Sequence, residues 1–163
     1  MNEILQKTEQ EILAKANPQL VPVIQKVADA GRTFMYADQN RELLAQQLSG
    51  DGSPEDLIAE GVAKLIGVLY NQSKKTLPMQ VMVPASTIIL CDVLDMLEQA
   101  GKVEVTPEFL ASCMKSLSGN ILRLFGVGPE QMQKFFDKAK AGGAMPQATP
   151  QGGGLIQQAR GAA

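Results

Sequence analysis

Residues 78–100 have the sequence PMQVMVPASTIILCDVLDMLEQA, the most apolar stretch of the chain. A membrane-spanning helix needs about 20 predominantly apolar residues, and this stretch is long enough. Asp92 and Asp95 lie one helical turn apart near its end, and two carboxylates disfavour a helix that faces lipid. A helix that is apolar on nearly all sides is typically buried among other helices. The stretch therefore predicts the central helix of a small all-α domain.

Pro84 allows two interpretations of the start of this helix. Either the helix begins at Pro84 and residues 79–83 are extended, or a longer helix begins near Pro78 and kinks at Pro84. An extended segment needs a second strand to satisfy its backbone groups, and the sequence offers no such partner. We therefore predict one kinked helix over residues 78–100.

The composition of the whole chain argues against several classes of function. At 163 residues it is long enough for one domain with a sizeable core. Its net charge of −2 gives no electrostatic basis for nucleic-acid binding. It contains no histidine, the commonest general base and metal ligand. Cys91 and Cys113 lie on apolar backgrounds and are expected to be small buried hydrophobes. We expect neither a cofactor nor a metal.

Apolar periodicity and helix-start signals predict further helices on both sides of the central one. The predicted ranges are 2–16, 18–36 (starting at Pro18 or Gln19), 38–48, 54–73, 107–125 and 129–141. Asp38, Ser53 and Thr106 are the expected N-caps, and Gly101 is expected to end the central helix in a left-handed conformation. The sequence thus predicts a single bundle of about six or seven helices over residues 1–141, built around the kinked helix.

Two features of the helix over residues 54–73 have more than one interpretation. Gly61 and Gly67 interrupt it, and we expect them to let another helix approach closely, most simply the central one. Lys74 and Lys75 follow it, where cations complement the negative end of the helix dipole. A phosphate or nucleic-acid contact by these two lysines is the alternative.

Asp92, Asp95 and Glu98 share one face of the central helix, because they are spaced by three residues. Paired carboxylates could serve acid–base chemistry or bind a metal. No histidine completes a di-metal helix motif, however. We interpret the row as solvated or ion-paired side chains at the outer edge of the core helix.

Two further patterns partly match known sites, one for a serine hydrolase and one for calcium binding. Ser112 and Lys115 have the Ser-x-x-Lys spacing of penicillin-binding proteins, but the accompanying Ser-Asp-Asn and Lys-Thr-Gly motifs are missing. Residues 49–53 (SGDGS) contain one aspartate but lack the oxygen ligands and closing glutamate of a calcium loop. We interpret the first as a chance match and the second as a helix connection.

The composition changes at residue 142. Residues 142–163 (GGAMPQATPQGGGLIQQARGAA) contain six glycines, two prolines and a single charged side chain. Such a segment cannot bury enough apolar surface to fold alone, and we predict a flexible tail. Within residues 155–160 (LIQQAR), Leu155, Ile156 and Arg160 are the candidate partner-binding residues, since a flexible linker ending in a short apolar segment can reach a partner. A tail without a role is the alternative.

Three motifs carry a resemblance to a known family. They are LYNQSKKTLPMQVMVPA at residues 69–85, LCDVLD at 90–95 and VTPE at 105–108. This pattern resembles small helical virion structural proteins of tailed double-stranded DNA bacteriophages, over roughly residues 54–130. The resemblance implies a structural component of the phage particle, encoded among head and tail genes, and identifies no functional residue.

From this resemblance and the tail we expect a non-enzymatic virion protein, made in the host cytoplasm, that assembles through helix faces and a C-terminal arm. Its expected partners are other virion proteins (portal, tail or head components) and further copies of itself. We expect no small-molecule substrate, membrane or nucleic acid. The alternative is a cytosolic helical adaptor or assembly chaperone that is absent from the mature particle. A hydrolase that uses Ser112 and Lys115 is a third, weaker hypothesis.

Overall fold

A computed structural model describes residues 1–126, which form six α-helices and, within this range, no β-strand. The all-α class is therefore confirmed for the described part of the chain. The helices are α1 (Glu3–Lys15), α2 (Val21–Tyr36), α3 (Asp38–Leu48), α4 (Pro54–Gln72), α5 (Met79–Gln99) and α6 (Pro107–Leu124). The predicted helix over residues 129–141 and the tail lie outside the described residues.

α5 is the most buried helix. Fourteen of its 21 residues are buried, and it packs against α1, α2, α4 and α6. It runs without interruption through Pro84, so the extended interpretation of residues 79–83 is wrong. α5 is long and apolar enough to cross a membrane by length and composition alone, but 78% of its apolar window is buried inside the protein. The core helix of a soluble protein can have the same length and composition. The burial of α5 agrees with the expectation, drawn from Asp92 and Asp95, that this helix does not face lipid.

The remaining helices differ in how much they contribute to the core. α4 packs along α6, and these two helices bury eight and six residues. α2 lies against α5 and buries five. α1 and α3 are peripheral, since α1 buries only Leu5 and α3 only Asn40. The core is therefore formed by α2, α4, α5 and α6, with α1 and α3 added at its edges.

Two predicted helix starts are wrong. α2 begins at Val21 instead of Pro18 or Gln19, because Asn17 forms a turn first. Its side-chain oxygen accepts a hydrogen bond from the backbone of Gln19 at 3.0 Å, as Asn side chains commonly do in turns. Ala37, with extended backbone angles, is the N-cap of α3. Asp38 is instead the first helical residue, where its carboxylate faces the positive end of the helix dipole.

Three other capping predictions are confirmed. The hydroxyl of Ser53 accepts a hydrogen bond from the backbone of Asp56 at 3.3 Å, and that of Thr106 accepts one from Phe109 at 3.1 Å. Gly101 has φ +70° and ends α5 in the left-handed conformation. These local signals need no tertiary information, which explains why the sequence located them.

The predicted close approach of Gly61 and Gly67 to the central helix is wrong. A Cβ atom at Gly61 would lie nearest to side chains of α3, and one at Gly67 nearest to Leu124 of α6. Among the described glycines, Gly31 of α2 comes closest to α5, since an added Cβ would lie 2.3 Å from Cδ1 of Ile89. Helical periodicity shows which face of a helix is apolar but not which neighbour covers it.

The connection from α4 to α5 contains two lysines in the left-handed region. Lys74 has φ 58° and Lys75 has φ 60°. The backbone of Lys74 donates to the carbonyl of Asn71, and that of Lys75 to the carbonyl of Tyr70, both at 2.9 Å. These two bonds form a Schellman motif, in which glycine usually occupies the position of Lys74. A side chain there costs energy, because the left-handed conformation crowds its Cβ atom.

Lys74→Gly is expected to raise the free energy of unfolding by about 0.5–1 kcal/mol, because glycine adopts this conformation without strain. Chemical denaturation followed by circular dichroism measures the change. Lys26→Gly is the matched control: Lys26 is exposed within α2, where the same substitution is expected to cost about 1 kcal/mol. Equal losses in the two variants would contradict the assignment of strain to Lys74.

Candidate functional site

The main polar cluster of the described chain is centred on Arg32 of α2. Its Nε donates to Oδ2 of Asp92 at 2.7 Å, Nη1 to Oδ1 of Asp29 at 2.8 Å and Nη2 to Oε1 of Glu9 at 3.0 Å. The planar guanidinium group can meet three carboxylates at once because its donors point in fixed directions. The cluster connects α1, α2 and α5 at the surface of the core.

Burial determines the electrostatics of this cluster. It raises the pKa of Asp92, whose side chain is 9% exposed, while the Arg32 guanidinium opposes the rise. Burial and, second, the Asp92 carboxylate raise the pKa of Glu9, and Arg32 again opposes the rise. One cation thus faces three carboxylates. Ionisation of Asp92 and Glu9 costs more free energy in the folded protein than in water, because both have a raised pKa.

A second polar contact lies further along the same face of α5. Glu98 accepts two hydrogen bonds from the side-chain amide of Asn2, at 3.0 and 3.2 Å, and one from the backbone of Val105 at 3.0 Å. The Val105 backbone bond and then the Asn2 bond lower the pKa of Glu98. The amino group of Met1 lies 3.8 Å from Oδ1 of Asp95. The N-terminal end of α1 is therefore held against the C-terminal half of α5.

The ion-paired interpretation is confirmed for Asp92 and Asp95, whereas Glu98 accepts hydrogen bonds from uncharged groups of Asn2 and Val105. Asp92 is buried rather than solvated, since only 7% of the residue is exposed. The sequence patterns do not identify Arg32 as the partner of Asp92. A signal was present in the sequence, because Arg32 follows Ala28 by four residues and precedes Met35 by three, which places a cation beside the apolar face of α2. Spacing alone could not show which helix would supply the opposite charge.

This arrangement positions helices, and its geometry does not resemble a metal site. Each of the three carboxylates around Arg32 accepts a short hydrogen bond from the guanidinium group. Among residues 1–126, no group of three His, Cys, Asp or Glu side chains is arranged to hold a metal ion. The contacts of Arg32 attach α1 and α2 to α5, which is a structural role.

The two cysteines behave as buried apolar residues, as predicted. Both are free and buried, and burial as the main cause raises the pKa of Cys91 and of Cys113 to about 12. The thiolate is the nucleophilic form of cysteine. Neither thiol is therefore ionised to a useful extent near neutral pH.

The serine–lysine pattern of α6 lies on its surface. Ser112 and Lys115 are both exposed, and within residues 1–126 neither makes a hydrogen bond to the other. Ser116 on the same helix donates to Oδ1 of Asp56 at 2.5 Å and thereby joins α6 to the first turn of α4. The polar side of α6 thus contributes to the packing of α6 against α4.

The predicted partner-binding residues Leu155, Ile156 and Arg160 lie outside the described residues. Several large apolar side chains are exposed on the described helices, however. Those on α2 to α6 are Val23 (38% exposed), Tyr36 (45%), Leu43 (59%), Val68 (37%) and Leu124 (42%). Leu43 is the most exposed of them.

We compared the chain with known proteins in three ways: by family models, by the sequences of curated proteins and by solved structures. No family model, curated protein or solved structure matches this chain.

Proposed function

We propose that this protein is a non-enzymatic structural protein of the virion of a tailed double-stranded DNA bacteriophage. It assembles with portal, head or tail proteins, and with further copies of itself, through helix faces and a C-terminal arm. The sequence resemblance over residues 54–130 is one support for this proposal. The stretch that carries most of it, residues 69–85, covers the end of α4, the lysine turn and the start of α5. That stretch builds the bundle, which suits a structural role.

The exposed apolar surface of α3 is the observation that supports assembly through helix faces. This 11-residue helix buries only Asn40, and Leu43 is 59% exposed on it. A helix of this length is marginal in isolation and usually depends on packing. Leu44 and Leu48 are only half-buried against the rest of the bundle. α3 therefore offers leucine side chains that the described part of this chain does not cover, and a partner helix could bury them.

The proposed architecture has two further parts. We propose that α5 bends at Pro84, because proline has no N–H to donate to the preceding turn of the helix and its ring crowds that turn. The hydroxyls of Ser86 and Thr87 donate to the carbonyl of Val83 at 2.7 and 3.0 Å, beside the same position. We also propose that residues 142–163 form the arm, with Leu155, Ile156 and Arg160 contacting the partner.

Mass spectrometry of purified virions tests the proposal. We expect the wild-type chain in the particle, and a reduced amount after deletion of residues 142–163. Leu43→Gln is also expected to reduce incorporation, because it removes an apolar side chain that would contact the partner. Since Leu43 is exposed, this substitution should change the free energy of unfolding by no more than about 0.5 kcal/mol. Ala45→Gln, exposed on the same helix, is the matched control and should be incorporated normally.

The outcomes distinguish the two functions. Absence of the wild-type chain from purified particles would refute the virion role and favour the cytosolic adaptor or assembly chaperone. Full incorporation of the deletion variant would show that the arm is not the docking element. Equal incorporation of the Leu43 and Ala45 variants would exclude α3 as the assembly surface.

A further inference from the structure

α1 is attached to the bundle by little apolar surface. Of its 13 residues only Leu5 is buried, while Ile4, Ile12 and Leu13 remain half-buried. α5, in contrast, buries fourteen residues. Segments with few buried apolar contacts open at a lower free energy than the core of the same protein. α1 is therefore a candidate for local opening.

The polar contacts of α1 are concentrated at two points. Asn2 has two roles: its Oδ1 caps α1 by accepting from the backbone of Ile4 at 2.8 Å, and its Nδ2 donates to Glu98 of α5. Further along, Glu9 pairs with Arg32 of α2 at 3.0 Å. The first contact joins an amide donor to an ionised carboxylate, which is a strong type of hydrogen bond.

The second contact is less favourable. Burial and the neighbouring Asp92 raise the pKa of Glu9, so that its ionised form is held in the docked helix at a cost. Arg32 does not depend on Glu9 alone, because it also donates to Asp92 and Asp29. If α1 leaves, Arg32 therefore keeps two of its three carboxylates, and the attachment of α2 to α5 persists.

The connection between α1 and α2 can act as a hinge. Asn17, Pro18 and Gln19 are exposed, and the turn is held by local bonds to Asn17. Proline at position 18 prevents α1 and α2 from fusing into one continuous helix. Detachment of α1 breaks its packing against α5, whereas the connecting turn itself loses few contacts.

We propose that α1 is an N-terminal strap that detaches from α2–α6 as one unit while those helices stay folded, and that the Asn2–Glu98 contact is its main fastening. Detachment uncovers the carboxylates of Asp95 and Glu98 on α5 and gives the protein an open state with an acidic face. This device does not depend on the proposed virion role.

Hydrogen exchange of the native full-length chain, measured by NMR spectroscopy, tests the proposal. The amides of Gln6 to Ala16 donate within α1, and those of α5 report on the core. We expect the α1 amides to exchange with one common opening free energy and at least about 100-fold faster than the slowest α5 amides, relative to their intrinsic rates. Exchange of α1 together with α5 would overturn the proposal.

The fastening is tested by Asn2→Asp. Aspartate caps a helix as well as asparagine does, but it replaces the donor to Glu98 with a second carboxylate. We expect the α1 amides to exchange about fivefold faster, with no change in α5. When Asn2→Asp is combined with Glu98→Gln, the new amide at position 98 can donate to the new carboxylate at position 2. The hydrogen-exchange rate of the α1 amides should then return towards the wild-type value. Glu11→Gln is the control, since the one ion pair of Glu11 among residues 1–126 is with Lys15 inside α1.

Each alternative outcome of the variants is informative. An equal acceleration of α1 and α5 in Asn2→Asp would show that α1 is part of the global folding unit, which contradicts the strap. An unchanged α1 rate in Asn2→Asp, or the same acceleration in Glu11→Gln, would contradict the role of the Asn2–Glu98 contact.

Discussion

Arg32→Met is expected to lower the free energy of unfolding by about 2–3 kcal/mol at neutral pH. Removing one partner of a buried ion pair typically costs about 3–5 kcal/mol, because the remaining charge is left buried and unpaired. We use a smaller value because Arg32 is 35% exposed, although Asp92 is only 9% exposed. Methionine keeps the apolar length of the side chain, so the change is mainly electrostatic. Urea denaturation followed by circular dichroism measures it.

The cost of Arg32→Met should decrease in acid. The folded-state pKa of Asp92 is already above its ordinary value, so the folded protein binds this proton more tightly than the unfolded chain does. The stability contributed by Asp92 therefore falls as pH rises from the ordinary aspartate range through the raised pKa. Without Arg32 the pKa rises further, and the carboxyl becomes neutral at a higher pH. The variant should thus approach wild-type stability at mildly acidic pH and differ most at neutral pH.

Asp92→Asn provides the comparison for this prediction. It removes the buried charge and leaves Arg32 with Asp29, Glu9 and partial access to water, so its cost is expected to be smaller than that of Arg32→Met. Arg123→Met is a surface control, because Arg123 is exposed and its hydrogen bond is to Asn120 on its own helix. An Arg32→Met cost that is independent of pH, or equal to that of Arg123→Met, would refute the role assigned to the buried pair.

Gly31→Ala is expected to destabilise the protein by about 1–3 kcal/mol, the usual cost of inserting a methyl group into a closely packed core. The new Cβ atom would lie 2.3 Å from Cδ1 and 2.8 Å from Cγ1 of Ile89, which is itself fully buried. Alanine gains about 1 kcal/mol of helix propensity over glycine, but the steric conflict between α2 and α5 outweighs this gain. Thermal or urea unfolding measures the result.

Two further variants isolate the steric cause. Ile89→Val removes the Cδ1 atom, so the double variant with Gly31→Ala should lose less stability than the sum of the two single changes. Gly119→Ala makes the same substitution in α6, where the glycine is also buried but, among residues 1–126, an added Cβ meets no atom within 4 Å beyond the nearby backbone of its own helix. It is expected to stabilise the protein by about 1 kcal/mol. Additive losses at positions 31 and 89 would rule out the proposed contact.

Much of the local structure could be predicted from the sequence, because its signals act over short distances. Ser53 and Thr106 cap the helices that follow them, and Gly101 ends α5. The failures have equally local causes. Asn17 forms a turn that delays α2, and Ala37 takes the capping position that Asp38 was expected to hold. Competing turn conformations of similar energy decide such boundaries, and residue type alone does not resolve them.

The candidate site could be predicted only in part. Asp92, Asp95 and Glu98 were recognised as one row, since helical geometry requires it. Their partners come from positions 32, 1 and 2, which are distant in sequence, and no periodic pattern connects them. Leu43, Leu44 and Leu48 share the apolar face of α3, yet 59% of Leu43 is exposed. An apolar face shows that a helix can pack against another surface. It does not show whether that surface belongs to the same chain or to a partner.

The stretch at residues 78–100 by itself determined that the fold is helical and that this helix lies at its centre. Its apolar residues surround the helix on nearly all sides, so burial was the only favourable environment for it outside a membrane. Only the tertiary structure decided which helices cover it, that Gly31 rather than Gly61 or Gly67 makes the close approach, and that Arg32 neutralises Asp92. These are contacts between segments far apart in the chain, and they depend on the shapes and charges of two surfaces at once.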